Sequence, residues 1–172
     1  MNIDELTIKE QDLYSRVEQL SGTIEEKTDK VIYFGIAKEY REIHQEYSRM
    51  AKSDLEAFKR GLFLIWYSMS EPTWLTGIGD LDSEAEERII KLLDRRLKRN
   101  VTDYELDWVL DYYSNWNYMF DRFSSYKNFQ TRLKSETKTE LPDKINKKEM
   151  ELRGQMGRYW NSLTIFNKET SS

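Results

Sequence analysis

Aromatic residues are concentrated in one stretch in the second half of the chain. Eight of the twenty residues from 104 to 123 are Phe, Tyr or Trp, and no Gly or Pro interrupts them. A stretch of this kind is expected to form a helix that is apolar on nearly every side. Such a helix must be surrounded by other helices, line a cavity or meet a partner. The stretch therefore constrains the architecture more than the activity.

Residues that break helices are rare along the whole sequence. Its 172 residues include only two Pro and seven Gly, and no convincing strand alternation is present. We predict an all-α fold, a single compact bundle of about six helices with the aromatic stretch as a central helix. The length suits one domain over residues 1–172, with ends that fray at 1–3 and 168–172 and a polar turn near 134–149.

The predicted helices follow the apolar periodicity between the breakers. Their approximate bounds are 4–20, 24–51, 54–69, 84–99, 103–133 and 152–163, and the pattern leaves open whether the second and third are continuous. The second carries an apolar stripe at Ile32, Ile36, Tyr40, Ile43, Tyr47 and Met50. The third becomes apolar all round at residues 62–67, which predicts that it is also central.

Four helix starts carry a capping-box pattern, in which Ser or Thr is followed three residues later by Glu. The four pairs are Thr23/Glu26, Ser53/Glu56, Ser83/Glu86 and Thr102/Glu105. Each pair precedes a periodic apolar stretch, so the pattern predicts where these helices begin.

Three aspartates, Asp103, Asp107 and Asp111, recur every four residues and share one helix face. They could form a carboxylate row for a metal or for acid–base chemistry. We favour ion pairs with the preceding helix, because a link of only three residues predicts an antiparallel hairpin. The basic residues expected at matching heights are Lys91, Arg95, Arg96 and Arg99. The same basic stripe, with Arg88, could instead bind phosphate.

Composition excludes several chemistries. The chain has no Cys and one His, so thiol catalysis, disulfides and sites with two or three His ligands are impossible. Its net charge of −4 makes nucleic acid an unexpected partner. No apolar stretch approaches the roughly 20 residues of a membrane span, and no signal peptide is visible. We expect a cytoplasmic protein that binds no membrane, metal or cofactor.

The loop between the third and fourth predicted helices, residues 70–82, is the most notable non-helical segment. It contains Glu71, Trp74, Asp80 and Asp82. Loops held by a rigid scaffold often carry function, and Trp74 with these carboxylates could contact a partner. The simpler interpretation is that Trp74 packs against the end of the bundle and that residues 80–83 cap the next helix.

Three functional hypotheses remain open. The first is a non-enzymatic module that binds another protein or a second copy of itself, a small accessory or immunity-type factor by analogy of size and helical content. Its basis is the aromatic surplus, since 23 of the residues are Phe, Tyr or Trp and interfaces favour Tyr and Trp. The chain is thus not expected to be an enzyme, and no catalytic residue is assigned.

The second hypothesis is a small-molecule binder with a pocket between the third and fifth predicted helices. The residues predicted to line it are Trp66, Tyr67, Trp108, Tyr112 and Trp116. The third is a hydrolase or lyase that uses Glu71 with Asp80 or Asp82 and needs at least one of them to have a raised pKa.

Overall fold

The computed structural model describes residues 1–166, and all regular structure in this part of the chain is helical. The α-helices are α1 (Ile3–Glu18), α2 (Ile24–Tyr33), α3 (Ile36–Met50), α4 (Leu55–Ser70), α5 (Thr73–Thr76), α6 (Ser83–Lys98), α7 (Tyr104–Tyr113), α8 (Lys127–Leu133), α9 (Lys147–Glu151) and α10 (Gly154–Ser162). Two 3-10 segments cover Ser114–Phe123 and Thr164–Phe166. The all-α class is confirmed, and the predicted fraying of 168–172 lies outside the described residues.

The predicted count of about six helices is wrong because two predicted helices are interrupted and two short helices, α5 and α9, begin in segments predicted as a loop and a polar turn. Gly35 adopts φ +73° between α2 and α3, a left-handed conformation that suits glycine. The aromatic stretch leaves α-helical geometry after Tyr113, and Trp116 inside the 3-10 segment has φ −125° and ψ 45°. Gly154, with φ +59°, separates α9 from α10.

The break at Gly35 also changes which residues of the predicted stripe are buried. Ile36 and Tyr40 are buried on α3 as expected, whereas Ile32 on α2 is 63% exposed and its neighbour Val31 is buried. A helix that stops and restarts does not preserve its phase of 100° per residue. The stripe was therefore correct within α3 and wrong across the break.

Helix α4 is the centre of the bundle. Its ten consecutive residues from 57 to 66 are all buried, and it packs against α3, α6 and α10. The aromatic stretch is central only in part. Trp108 and Tyr113 on α7 are buried, whereas Tyr104 and Tyr118 are more than half exposed. The prediction of one continuous, central aromatic helix is thus corrected to a buried α7 followed by a more peripheral 3-10 segment.

Aspartates, rather than the predicted Ser and Thr residues, cap three of the helices. The capping box of Thr23 and Glu26 is confirmed at the start of α2. At the other three positions a neighbouring Asp accepts the N3 amide hydrogen bond, and these caps are Asp54, Asp82 and Asp103. A carboxylate makes the stronger, charge-assisted bond and also complements the helix dipole.

The predicted ion pairs between the fourth and fifth helices do not form. Asp103 instead lies 2.7 Å from Lys59 Nζ on α4, and Asp111 pairs with Arg132 on α8. Arg132 also donates to the Asp107 carbonyl oxygen, at 3.0 Å. Helix α8 packs against α6 where α7 was expected. The short link therefore does not produce the side-by-side hairpin that the spacing predicted.

A partly buried ionic network connects three distant parts of the chain. Arg153, between α9 and α10, donates to Glu56 on α4 and to Glu105 on α7. Glu105 also accepts from Lys59, at 2.5 Å, and Glu56 also accepts from Arg60, at 2.8 Å. These alternating charges hold the C-terminal helices against the centre of the bundle.

The single histidine, His44, is fully buried on α3. Neither of its ring nitrogens has a hydrogen-bond partner within the described residues. Burial lowers the pKa of its imidazole to about 4, although the backbone of Gly61 and the carboxylate of Asp82 act in the opposite direction. His44 is therefore a neutral core residue at pH 7.

Candidate interaction surface

Helix α2 leaves most of its apolar side chains uncovered. Only Val31 among its ten residues is buried. At its C-terminal end three consecutive large apolar residues are exposed: Ile32 (63%), Tyr33 (84%) and Phe34 (51%). We call these three residues the corner surface. Exposed apolar residues that occur singly need no explanation, but adjacent ones are typical of contact sites.

The aromatic rings of the corner surface contact each other. The ring centroids of Tyr33 and Phe34 are 5.3 Å apart in an edge-to-face arrangement. Gly35 directly after them turns the chain into α3, and apart from the adjoining chain no atom lies within 4 Å of where a Cβ would stand there. The turn thus depends on the backbone conformation of glycine and not on a close approach.

Arg16 on α1 fixes this turn from the side. Its Nη2 donates to the Phe34 carbonyl oxygen, at 3.0 Å, and its Nη1 donates to Glu39 on α3, at 2.8 Å. Phe34 also lines a shallow cavity of about 280 Å³ with Leu20 and Ile36. The two exposed rings are therefore presented by an anchored backbone, which reduces the entropy lost when a partner binds.

Trp74, the predicted contact residue of the 70–82 loop, is half-buried on the short helix α5. Helix α5 packs against α2, and the Lys27 ammonium on α2 lies 5.9 Å from the centre of the Trp74 ring. Leu75 beside it is 41% exposed. The loop therefore supports the helix that carries the corner surface.

The three loop carboxylates do not form a common site. Asp82 caps α6 by accepting from the Ala85 amide, and this hydrogen bond lowers the pKa of its carboxyl. Asp80 is exposed and lines a cavity of about 450 Å³ that includes neither Glu71 nor Asp82. Glu71 ends α4. The hydrolase hypothesis required a convergent pair with a raised pKa, and the geometry gives it no support.

The five residues predicted to line an aromatic pocket instead contact one another or other rings. Trp66 stacks on Tyr113 with centroids 4.8 Å apart, and the rings of Tyr112 and Trp116 lie 5.8 and 5.7 Å from it. Trp66 also stacks on Tyr67, at 6.0 Å. Trp108 meets Trp160 edge-to-face, with ring centroids 5.0 Å apart, and Trp160 contacts Tyr113. These contacts form a packed aromatic core that joins α4, α7 and α10.

A buried carboxylate that the sequence analysis missed lies at a cleft between α1 and α10. The cleft has a volume of about 400 Å³ and includes Glu10 and Gln155 among its lining residues. Burial raises the pKa of Glu10, and hydrogen bonds from the Tyr47 hydroxyl and the Gln155 amide offset only part of this effect. Both carboxylate oxygens are occupied by these donors, so Glu10 joins helices and is not poised for catalysis. The available signal was its position on the apolar face of α1, between Leu6 and Leu13.

Two kinds of feature are absent from residues 1–166. No group of three or more His, Asp and Glu side chains is placed to hold a metal ion. No helix in this range has both the length and the apolar character that a membrane crossing needs. Compared with known proteins, the chain matches no family model, no curated protein and no solved structure.

Proposed function

We propose that this chain is a non-enzymatic interaction module whose corner surface is the centre of its contact with another protein. The observation that carries the proposal is the exposure of Tyr33 and Phe34 together on an anchored turn. Aromatic side chains of this kind are the usual energetic centres of protein interfaces. A second copy of the chain is the alternative partner. The accessory or immunity-type class and a cytoplasmic setting remain parts of this proposal.

Charged side chains of both signs lie on the two helices that meet at the corner surface. On α3, Glu39 pairs with Arg16 and Glu42 lies 3.9 Å from Lys38. These charges therefore do not select a partner of one sign. The two exposed rings set the expectation, which is a partner with an apolar depression that accepts them.

A pull-down from the lysate of the native host tests the proposal. The bait proteins are the wild type, the double variant Tyr33→Ser/Phe34→Ser and the control Tyr118→Ser. Tyr118 is also an exposed tyrosine, at 62%, but it lies on the 3-10 segment after α7. We expect a stoichiometric protein that persists at high salt with the wild type and the control and is absent with the double variant.

Two results would contradict the proposal. One is a partner retained by the double variant, and the other is a partner lost equally with Tyr118→Ser. Thermal melts of all baits show whether the variants are folded. Because the substituted side chains are exposed, we expect their melting temperatures to differ little from that of the wild type. A Trp74→Ala bait tests the supporting loop separately. Sedimentation velocity of the wild type alone identifies a homo-oligomer, which the same double variant should dissociate.

A further inference from the structure

A second surface feature, unrelated to the corner surface, is a groove between α3 and α6. Its volume is about 650 Å³, within the roughly 300–1,000 Å³ range of small-molecule sites. Five basic side chains line it: Arg49, Lys52, Arg88, Lys91 and Arg95. The acidic lining residues are Asp82 and Glu84, which stand where α6 begins. The groove is therefore locally basic in a chain whose net charge is −4.

Three of these basic groups have no internal counter-charge. Within residues 1–166, no salt bridge involves Lys52, Lys91 or Arg95, whereas Arg49 pairs with Glu46 and Arg88 lies 3.8 Å from Glu84. Other exposed lysines among residues 1–166, such as Lys144 and Lys148, also lack a salt bridge, but they do not line this groove; the groove groups differ in that they share one concave surface. Unmatched like charges around a concave surface focus a positive potential into it.

One side of the groove is held in place. Ser48 on α3 is buried, and its hydroxyl accepts a hydrogen bond of 2.9 Å from Arg88 Nε on α6. This bond connects the two walls and fixes the guanidinium at the groove surface. Along α6, Arg88, Lys91 and Arg95 recur at intervals of three and four residues, so their positions span about 10 Å of the helix axis. Leu92 adds an apolar element to the lining.

We propose that this groove binds a compact ligand that carries several phosphate groups, such as a polyphosphate or a nucleotide. Arg and Lys side chains from two helices can donate charge-assisted hydrogen bonds to several phosphate oxygens at once. Nucleic acid is disfavoured, since a basic surface about 10 Å long on an acidic chain gives a long polyanion few contacts and a repulsive surrounding. The unpaired Lys52, Lys91 and Arg95 are the groups expected to contribute most.

Isothermal titration calorimetry with tripolyphosphate tests this proposal at constant ionic strength. The proteins are the wild type, the variant Lys91→Gln/Arg95→Gln and the control Lys144→Gln/Lys148→Gln. Both variants remove two exposed positive charges, but the control residues do not line the groove. We expect saturable binding by the wild type and the control, and binding weaker by about tenfold or more in the groove variant.

A second titration uses a nucleoside triphosphate and distinguishes the ligand's source. If both probes bind with equal affinity, the phosphate chain alone is recognised. If the nucleotide binds more tightly, its nucleoside makes additional contacts, for which Leu92 is the candidate. Both outcomes support the proposal. It is overturned if tripolyphosphate does not bind, or if both variants lose affinity equally. It is also overturned if a single-stranded oligonucleotide binds while tripolyphosphate does not.

Discussion

Arg153 and Glu105 face each other side-on, with Nη2 of the guanidinium 2.9 Å from Oε2 and Nη1 donating to Oε1. Burial would raise the pKa of Glu105, but Arg153, assisted by Lys59, outweighs burial and lowers it to about 2. A bidentate pair of this geometry is stronger than a single ionic contact. It attaches the segment between α9 and α10 to α7.

Glu105→Gln should therefore destabilise the protein by about 1–3 kcal/mol at pH 7, since Lys59 then keeps only Asp103 and Arg153 keeps only Glu56 as a counter-charge. Because the folded-state pKa lies below the ordinary value of 4.5, this stability is present above about pH 4.5 and is lost as the pH falls through about 2. Urea denaturation at pH 7 and pH 3 measures both effects. The exposed Glu136→Gln is the control, and equal free energies of unfolding for the two variants would contradict the prediction.

Trp108→Ala should cost more stability than Trp116→Ala, although both residues lie in the aromatic stretch. Trp108 is only 2% exposed and packs on Trp160 and Phe166, so its loss should cost roughly 3–5 kcal/mol. Trp116 is half-buried, and its loss should cost about 1–2 kcal/mol. Chemical denaturation of both variants gives the comparison, and equal destabilisation would show that Trp116 is as integral to the core as Trp108.

His44→Leu should stabilise the protein. The substitution removes two buried nitrogens that lack partners, which should gain about 1–2 kcal/mol at pH 7. The folded-state pKa of about 4 lies below the ordinary 6.5. Between pH 6.5 and pH 4 the imidazole of His44 is therefore protonated in the unfolded chain but mostly neutral in the folded protein. This difference should lower the free energy of unfolding of the wild type by about 3 kcal/mol as the pH falls over that range.

The His44→Leu variant should lack this contribution to the pH dependence. Free energies of unfolding at pH 7, 5.5 and 4.5 reveal the difference between the two proteins. A variant less stable than the wild type at pH 7 would indicate that the imidazole has a partner in solution.

Gly157→Ala should destabilise the protein more than Gly35→Ala. A Cβ at Gly157 would overlap the backbone carbonyl oxygen of Met150, so α9 and α10 must separate, at a cost of about 2–4 kcal/mol. At Gly35 there is open space, and only the left-handed conformation is penalised, by about 1–2 kcal/mol. Thermal melts rank the two variants, and the reverse order would contradict the close approach of α9 and α10.

Local chemistry explains which parts of the fold were predictable. The scarcity of Gly and Pro gave the all-α class, and the apolar run in α4 identified the central helix. The caps were misplaced by one residue, because Ser53, Ser83 and Thr102 each adjoin an Asp that forms the stronger bond. Such competition between neighbouring residues is decided by backbone geometry that the pattern does not contain.

Contacts that a local sequence pattern does not contain explain most of the features that were not predicted. The predicted hairpin matched Asp111 to Lys91, but Asp111 pairs with Arg132, 21 residues after it, because α8 and not α7 packs against α6. The corner surface was missed because Ile32 fits the phase of the α3 stripe until Gly35 ends α2. Glu10 was missed because its partners Tyr47 and Gln155 lie 37 and 145 residues away. Nothing in a local pattern indicates contacts of that range.

The contacts between α1 and the C-terminal helices have a consequence for biosynthesis. Thr7 donates to the Leu152 carbonyl oxygen, and Gln155 donates to Glu10, so both bonds join residues 145 positions apart. Translation delivers α1 well before the segment at residues 152–155 to which it is bonded. The final packing of α1 therefore waits for a segment 145 residues further along the chain.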